Sequence, residues 1–224
     1  MSKETKNPNA EAVAEAVSKT ELFFKENSKP LVVSVVVIIL LALGFFLWHK
    51  FAYEPQREEA QEQMFPAEMN FRNMEYELAL NGDGNVLGFA QIIDEYGAKG
   101  GKSVYFYAGV CELQLGNYES AVSYLKKYNG KDRILAGRAL SCLGDAYVGL
   151  ADYAQAVECF VKAAKVSDDL FSAGYLLKAG VTCEELGDNA KALSYYQQIK
   201  DDYPNSMEAY DIDKYISRIE AKAE

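Results

Sequence analysis

The chain of 224 residues is half hydrophobic and one quarter charged, a composition that excludes a disordered polymer. Its formal net charge of −10 is uneven: residues 1–50 hold six lysines and five glutamates, whereas residues 51–224 hold 17 basic and 28 acidic side chains. A nucleic-acid binder must neutralise phosphates and needs the opposite sign, so no nucleic-acid partner is expected.

Residues 1–30 form an N-terminal segment with a polar start, MSKETKNPN, and a helix-prone stretch from Ala10 to Glu26. Val13, Val17 and Phe24 fall roughly on one side, with Leu22 and Phe23 nearby. The small apolar side suits either a mobile lead-in or a helix that lies on a membrane surface or touches a cytoplasmic partner.

The run LVVSVVVIILLALGFFLW, Leu31 to Trp48, carries no charge over 18 residues. As a helix it covers about 27 Å, close to the hydrocarbon thickness of a bilayer. Fourteen of the 17 residues from Leu31 to Leu47 are Leu, Ile, Val or Phe, each favouring insertion by roughly 0.3 to 0.6 kcal/mol. Pro30 is placed to start the helix, and Trp48, His49, Lys50 and Tyr53 form an interfacial rim. A buried core helix would show one polar face, and a cleaved signal peptide would have a shorter apolar core nearer the terminus. An uncleaved single-span anchor over residues 31–50, in contact with lipid, is therefore expected. Lys19, Lys25 and Lys29 precede it and Lys50 and Arg57 follow it. That bias favours a cytoplasmic N-terminus and an extracytoplasmic C-terminal domain.

Beyond the span, LGNYESAVSYL, LADYAQAVECF and LGDNAKALSYY begin at Leu115, Leu150 and Leu186, offsets of 35 and 36 residues. Gly109, Gly144 and Gly180 recur at the same offsets, and Ala121, Ala156 and Ala192 each follow twelve residues after them. Glycine inside a helix costs up to about 1 kcal/mol, so its periodic recurrence implies close helix contact. Leu125, Phe160 and Tyr196 are placed to fill the space beside these small residues. Gly116 and Gly187 suit a left-handed helix end, with Ala151 standing in for Gly in the middle copy, and Asn117, Asp152 and Asp188 are placed to cap the next helix.

Each copy thus reads as helix, turn, helix, and the pattern resembles the tetratricopeptide repeat. The middle copy matches best, through Leu140, Gly144, Tyr147, Tyr153, Ala156, Phe160 and Ala163. Departures are local: Glu112 and Cys183 stand where Tyr147 does, and Asn189 replaces the turn Tyr. The fold expected is all-α, one transmembrane helix followed by a tetratricopeptide-repeat α-solenoid. A juxtamembrane helix and degenerate first repeat occupy residues 51–101, three repeats occupy 102–209, and a capping helix occupies 210–224. In the degenerate copy a first helix is expected from Arg57 to Leu80, kinked or restarted at Pro66. The cap carries Ile212, Tyr215, Ile216 and Ile219 as one stripe.

Catalysis, metal and cofactors are not expected. The only histidine is His49, so the C-terminal domain lacks a His base for a Ser or Cys nucleophile. NGDGN at Asn81 follows a helix and lacks a Lys, which makes it a turn and not a phosphate loop. The acid pairs Asp168 and Asp169, and Asp201 and Asp202, fit solvated turns at repeat junctions. Cys111, Cys142, Cys159 and Cys183 show no C-x-x-C spacing and lie in apolar helical patterns, as small buried hydrophobes with free thiols do; a disulfide among them stays open.

The first helices of such an array line a concave face that receives extended peptides. The inward positions expected are Phe106, Val110 and Leu113, then Arg138, Ser141 and Asp145, then Leu177, Val181 and Glu184. An N-terminal span followed by this array resembles the YfgM-type ancillary subunit of the Sec translocon. That resemblance implies a bacterial inner-membrane protein with its C-terminal domain in the periplasm. The partners implied are the Sec translocon, periplasmic chaperones and client polypeptides. The competing expectation is a tethered adaptor for another cell-envelope assembly or division complex.

Overall fold

The structure, a computed structural model, describes residues 23–167 and 171–223, with side chains to 221. Asp168, Asp169 and most of the helix-prone N-terminal stretch lie outside the described residues. The described residues contain eleven α-helices and no strand. By their contacts, residues 1–55 and 56–224 form two units.

In the first unit, helix α1 spans Ser28–Trp48, starting two residues before Pro30. Pro30 occupies the first turn, where its missing N–H has no intrahelical partner to lose. The α1 side chains are exposed around nearly the whole circumference, from Val32 at 62% to Leu41 at 69%. Ser34 donates its hydroxyl to the Pro30 carbonyl at 2.8 Å, which satisfies the one polar side chain in the apolar run. Among the described residues one helix is long and apolar enough to cross a membrane, and its 18-residue apolar window reaches a mean hydropathy of 3.0. A π-helical turn, His49–Tyr53, follows. Pro55 has no N–H and its ring would crowd the Phe51 carbonyl of a regular α-turn, so the wider turn absorbs it. Trp48 and His49 both pack on Tyr53, at ring distances of 5.9 and 5.2 Å.

Helix α2 (Glu54–Arg72), which belongs to the second unit from Gln56 onward, runs through Pro66 without a restart, contrary to the sequence expectation. Its inward side chains Ala60, Met64 and Ala67 are buried, and that packing offsets the one ladder bond Pro66 removes. The break comes instead at Met74, which takes φ +63°, so the helix expected to reach Leu80 is divided. The short α3 (Tyr76–Asn81) leads into the NGDGN turn. There the Asp83 carboxylate accepts from the backbone N–H groups of Asn85 (2.8 Å) and Val86 (2.9 Å), which holds its carboxyl below the usual range. Helix α4 (Phe89–Tyr96) follows, its start pressed on α3 so closely that a Cβ on Gly88 would lie 2.3 Å from the Leu80 carbonyl oxygen.

Three helix pairs come next: α5 (Ser103–Gln114) with α6 (Tyr118–Leu125), α7 (Arg133–Gly149) with α8 (Tyr153–Ser167), and α9 (Ser172–Glu185) with α10 (Asn189–Asp202). The glycines meet the residues expected. A Cβ on Gly109 would lie 2.6 Å from Leu125 Cγ, on Gly144 2.5 Å from a Phe160 ring carbon, and on Gly180 2.3 Å from a Tyr196 ring carbon. Ala121, Ala156 and Ala192 have no exposed surface. Phe160 and Tyr196 are also fully enclosed, each worth roughly 1.5 to 3 kcal/mol of burial. Asp152 and Asp188 cap α8 and α10 by accepting from Gln155 (3.2 Å) and Lys191 (3.1 Å). Asn117 does not cap α6; its amide donates to Glu112 at 2.8 Å. Helix α11 (Ile212–Ala223) closes the unit, with Ile212, Ile216 and Ile219 buried and Tyr215 at a ring distance of 5.2 Å from Tyr196.

Candidate functional site

Helices α5 and α7 touch, although each belongs to a different pair, and α2 joins them on the same side through Phe71, whose ring lies 5.1 Å from that of Tyr107. The three helices enclose a cleft of about 270 Å³. Phe106, Val110 and Arg138, three of the sequence-predicted positions, line it together with Tyr107, Leu135 and Cys142. Helix α2 adds Glu68, Phe71 and Arg72, which the sequence analysis did not single out. One signal for Phe71 was present: it precedes Phe106 by 35 residues, the repeat offset.

The cleft floor is aromatic. Tyr107 stacks on Phe89 at 5.1 Å and meets Phe106 edge-on at 5.6 Å. Burial pushes the Tyr107 hydroxyl up, with Glu68 adding to the effect and Arg72 and Arg138 opposing it. Both guanidiniums therefore act on this cleft. Neither has a hydrogen bond or ion pair among the described residues, and both side chains are exposed.

Further along, Ser141 and Asp145 are brought together by Lys178 of α9. Its ammonium donates to both Asp145 carboxylate oxygens (2.9 and 2.7 Å) and to Ser141 Oγ (3.3 Å), and lies 5.5 Å from the Phe160 ring centroid. Ser141 is buried, Asp145 is half-buried, and Val181 is 40% exposed. Glu184 accepts from the Tyr196 hydroxyl at 2.7 Å and pairs with Arg218 of the last helix, so it ties α9, α10 and α11 together. Leu113 and Leu177 are half-buried and lean on separate core clusters.

A second cavity, about 460 Å³, lies among α8, α9 and α10, with Val157, Val161, Leu186 and Tyr195 beside Lys162, Lys165 and Lys191. Lys162 and Lys191 are paired there with Glu158 and Asp188. Among the described residues no group of three or more His, Cys, Asp or Glu is placed to hold a metal. The four cysteines are free; burial pushes the Cys111 thiol up to about 12 and that of Cys142 to about 11, so neither is a ready nucleophile.

Two family models match this architecture, both described as tetratricopeptide repeat: one over residues 143–206 and one over residues 103–131. Residues 103–131 and 143–206 are similar to tetratricopeptide repeats. No curated protein matches the chain. Tetratricopeptide repeats present an extended surface to protein partners, and proteins built from them are typically non-enzymatic scaffolds. The matched stretches include seven of the nine predicted groove positions, Arg138 and Ser141 lying between them.

Proposed function

We propose that this protein is a membrane-anchored interaction scaffold whose repeats receive extended segments of partner polypeptides. The observation that carries this is the presence on one chain of an all-round apolar helix, α1, and of tetratricopeptide repeats with an aromatic cleft across their first helices. In this proposal residues 31–50 span a bacterial inner membrane, residues 1–30 are cytoplasmic, and the degenerate copy (51–101), the three repeats (102–209) and the cap (210–224) are periplasmic. Phe106, Val110 and Arg138 form the first contact zone, Ser141, Asp145 and Val181 the second, with Leu113, Leu177 and Glu184 supporting them. The specific role is that of an ancillary subunit of the Sec translocon, which passes emerging polypeptides to periplasmic chaperones.

The deciding experiment is crosslinking in intact membranes followed by purification of the full chain. Recovery of translocon subunits is expected; consistent recovery of only envelope-assembly or division proteins would replace the translocon by that assembly. The side of the membrane is read with a membrane-impermeant thiol reagent. Cys111, fully buried and with its thiol raised, is unsuitable. A Cys introduced at exposed Met207 serves instead, and labelling from the periplasmic side is expected.

A further inference from the structure

The second unit belongs to the part of the chain with 17 basic and 28 acidic side chains, and several of its cations are held by acids: Lys162, Lys178, Lys191, Lys200, Lys214 and Arg218 each meet a carboxylate. Arg72 and Arg138 have no acidic partner among the described residues, and they are the two cations that line the aromatic cleft. A guanidinium is planar and weakly hydrated, binds a carboxylate through two parallel hydrogen bonds, and tolerates apolar surroundings better than an ammonium. Glu68 shares the cleft, but it forms no ion pair with Arg72 one turn away, so two positive groups face one negative one.

We infer that this cleft selects an extended client segment with an internal Asp or Glu beside an apolar residue, the carboxylate held by Arg72 and Arg138 and the neighbour seated on Phe71, Phe106 and Val110. The inference rests on the scaffold function proposed above and names the chemistry of its client. The acidic surface elsewhere repels such a carboxylate, which confines it to this cleft and fixes the register of the segment. The carboxylate is an internal side chain and not a chain end because the face continues past Arg138 to Ser141 and Asp145, where the segment proceeds.

The test uses the full chain in lipid nanodiscs and three octapeptide libraries, acetylated and amidated so that no terminal charge remains. The central residue is Asp, Asn or Lys, and the flanking positions are drawn from Phe, Leu, Ile, Val and Tyr. Retention of the Asp library about tenfold above the Asn library is expected, as for one added charge-assisted contact, and it should collapse to the Asn level in R72Q/R138Q. Equal retention of the Asp and Asn libraries, or preference for Lys, overturns the inference and leaves the scaffold function standing. Retention of none of the three sinks the groove itself. The comparison among libraries on the unaltered chain decides by itself, so the outcome does not depend on the double variant folding.

Discussion

The three regular pairs and the helices before them, α2 to α4, solve one packing problem in different ways. In the regular pairs a long first helix passes its glycine against a large side chain of the second, and the ring or leucine fills the space a Cβ would take. One period before Gly109 stands Met74, and there the chain leaves the helix at φ +63°. Helices α2 to α4 therefore close by local hydrogen bonds at Asp83 and by aromatic contacts of Phe71 and Phe89 with Tyr107. Periodic helix contact gives a repeatable unit. Its loss frees the end of α2 to deliver Arg72 and Phe71 to the cleft.

The largest effect that would break this comparison is expected from Gly144→Leu. A Cβ there already lies within 2.5 to 2.9 Å of three Phe160 ring atoms, and the ring is enclosed. A destabilisation of about 3 kcal/mol or more is expected, overriding the roughly 1 kcal/mol of helix propensity regained. Met74→Leu, at a position 74% exposed, should be near neutral. Chemical denaturation of the full chain in detergent, followed by circular dichroism, compares the two. Equal stability of the variants would remove the basis for the distinction.

Between α3 and α4 the corresponding weak point is Gly88→Ala. The new methyl would meet the Leu80 carbonyl oxygen at 2.3 Å and the Gly82 nitrogen at 2.4 Å, backbone atoms that cannot rotate away. A loss of about 2 to 3 kcal/mol is expected. It should be read locally, as faster hydrogen exchange in α3 and α4 with α9 and α10 protected as before. Uniform loss of protection across both regions would mean that they unfold as one unit.

These two positions also mark how much was legible. The register of Gly109, Gly144 and Gly180 against Leu125, Phe160 and Tyr196 follows from sequence because one contact recurs at fixed offsets, and three copies average out local accident. Single-copy features are harder. Asn117 has the residue type of a cap, but Glu112 stands where the other copies have Tyr147 and Cys183 and offers its amide an acceptor. The path of α2 through Pro66 depends on burial of Ala60, Met64 and Ala67, a tertiary effect that local propensity does not contain. For the same reason the sequence located Phe106, Val110 and Arg138 but not the α2 side chains opposite them.

A smaller effect separates the capped end from the rest. Burial first, then the hydrogen bond to Glu184, holds the Tyr196 hydroxyl well above the ordinary tyrosine range. The folded chain thus favours the neutral phenol, and this contribution is complete below the unfolded value, about 10. It declines as pH rises from there through the folded-state value, because the unfolded chain releases the proton first. Tyr196→Phe should cost about 1.5 to 2 kcal/mol at neutral pH, the scale of a hydrogen bond to a charged group. It should also flatten the alkaline loss of stability in denaturation curves at pH 8 and 10.5. An unchanged alkaline slope would move the effect to other tyrosines.

The smallest expected change has the opposite sign and tests whether the middle copy's one departure is a burden. At the end of α7, Ala151 takes φ +56°, where the other two copies have Gly116 at +80° and Gly187 at +73°. Its N–H reaches the Val148 carbonyl and that of Asp152 reaches Tyr147, so the helix end holds Ala151 in this conformation. A left-handed alanine costs about 1 to 2 kcal/mol. Glycine removes that strain but adds about 0.5 to 1 kcal/mol of unfolded-state entropy. Ala151→Gly should therefore stabilise the chain by about 0.5 kcal/mol, a shift of the denaturation midpoint with no change in slope. A lower midpoint would mean that this turn is held by contacts of the Ala151 methyl, and the three helix ends would then not be equivalent.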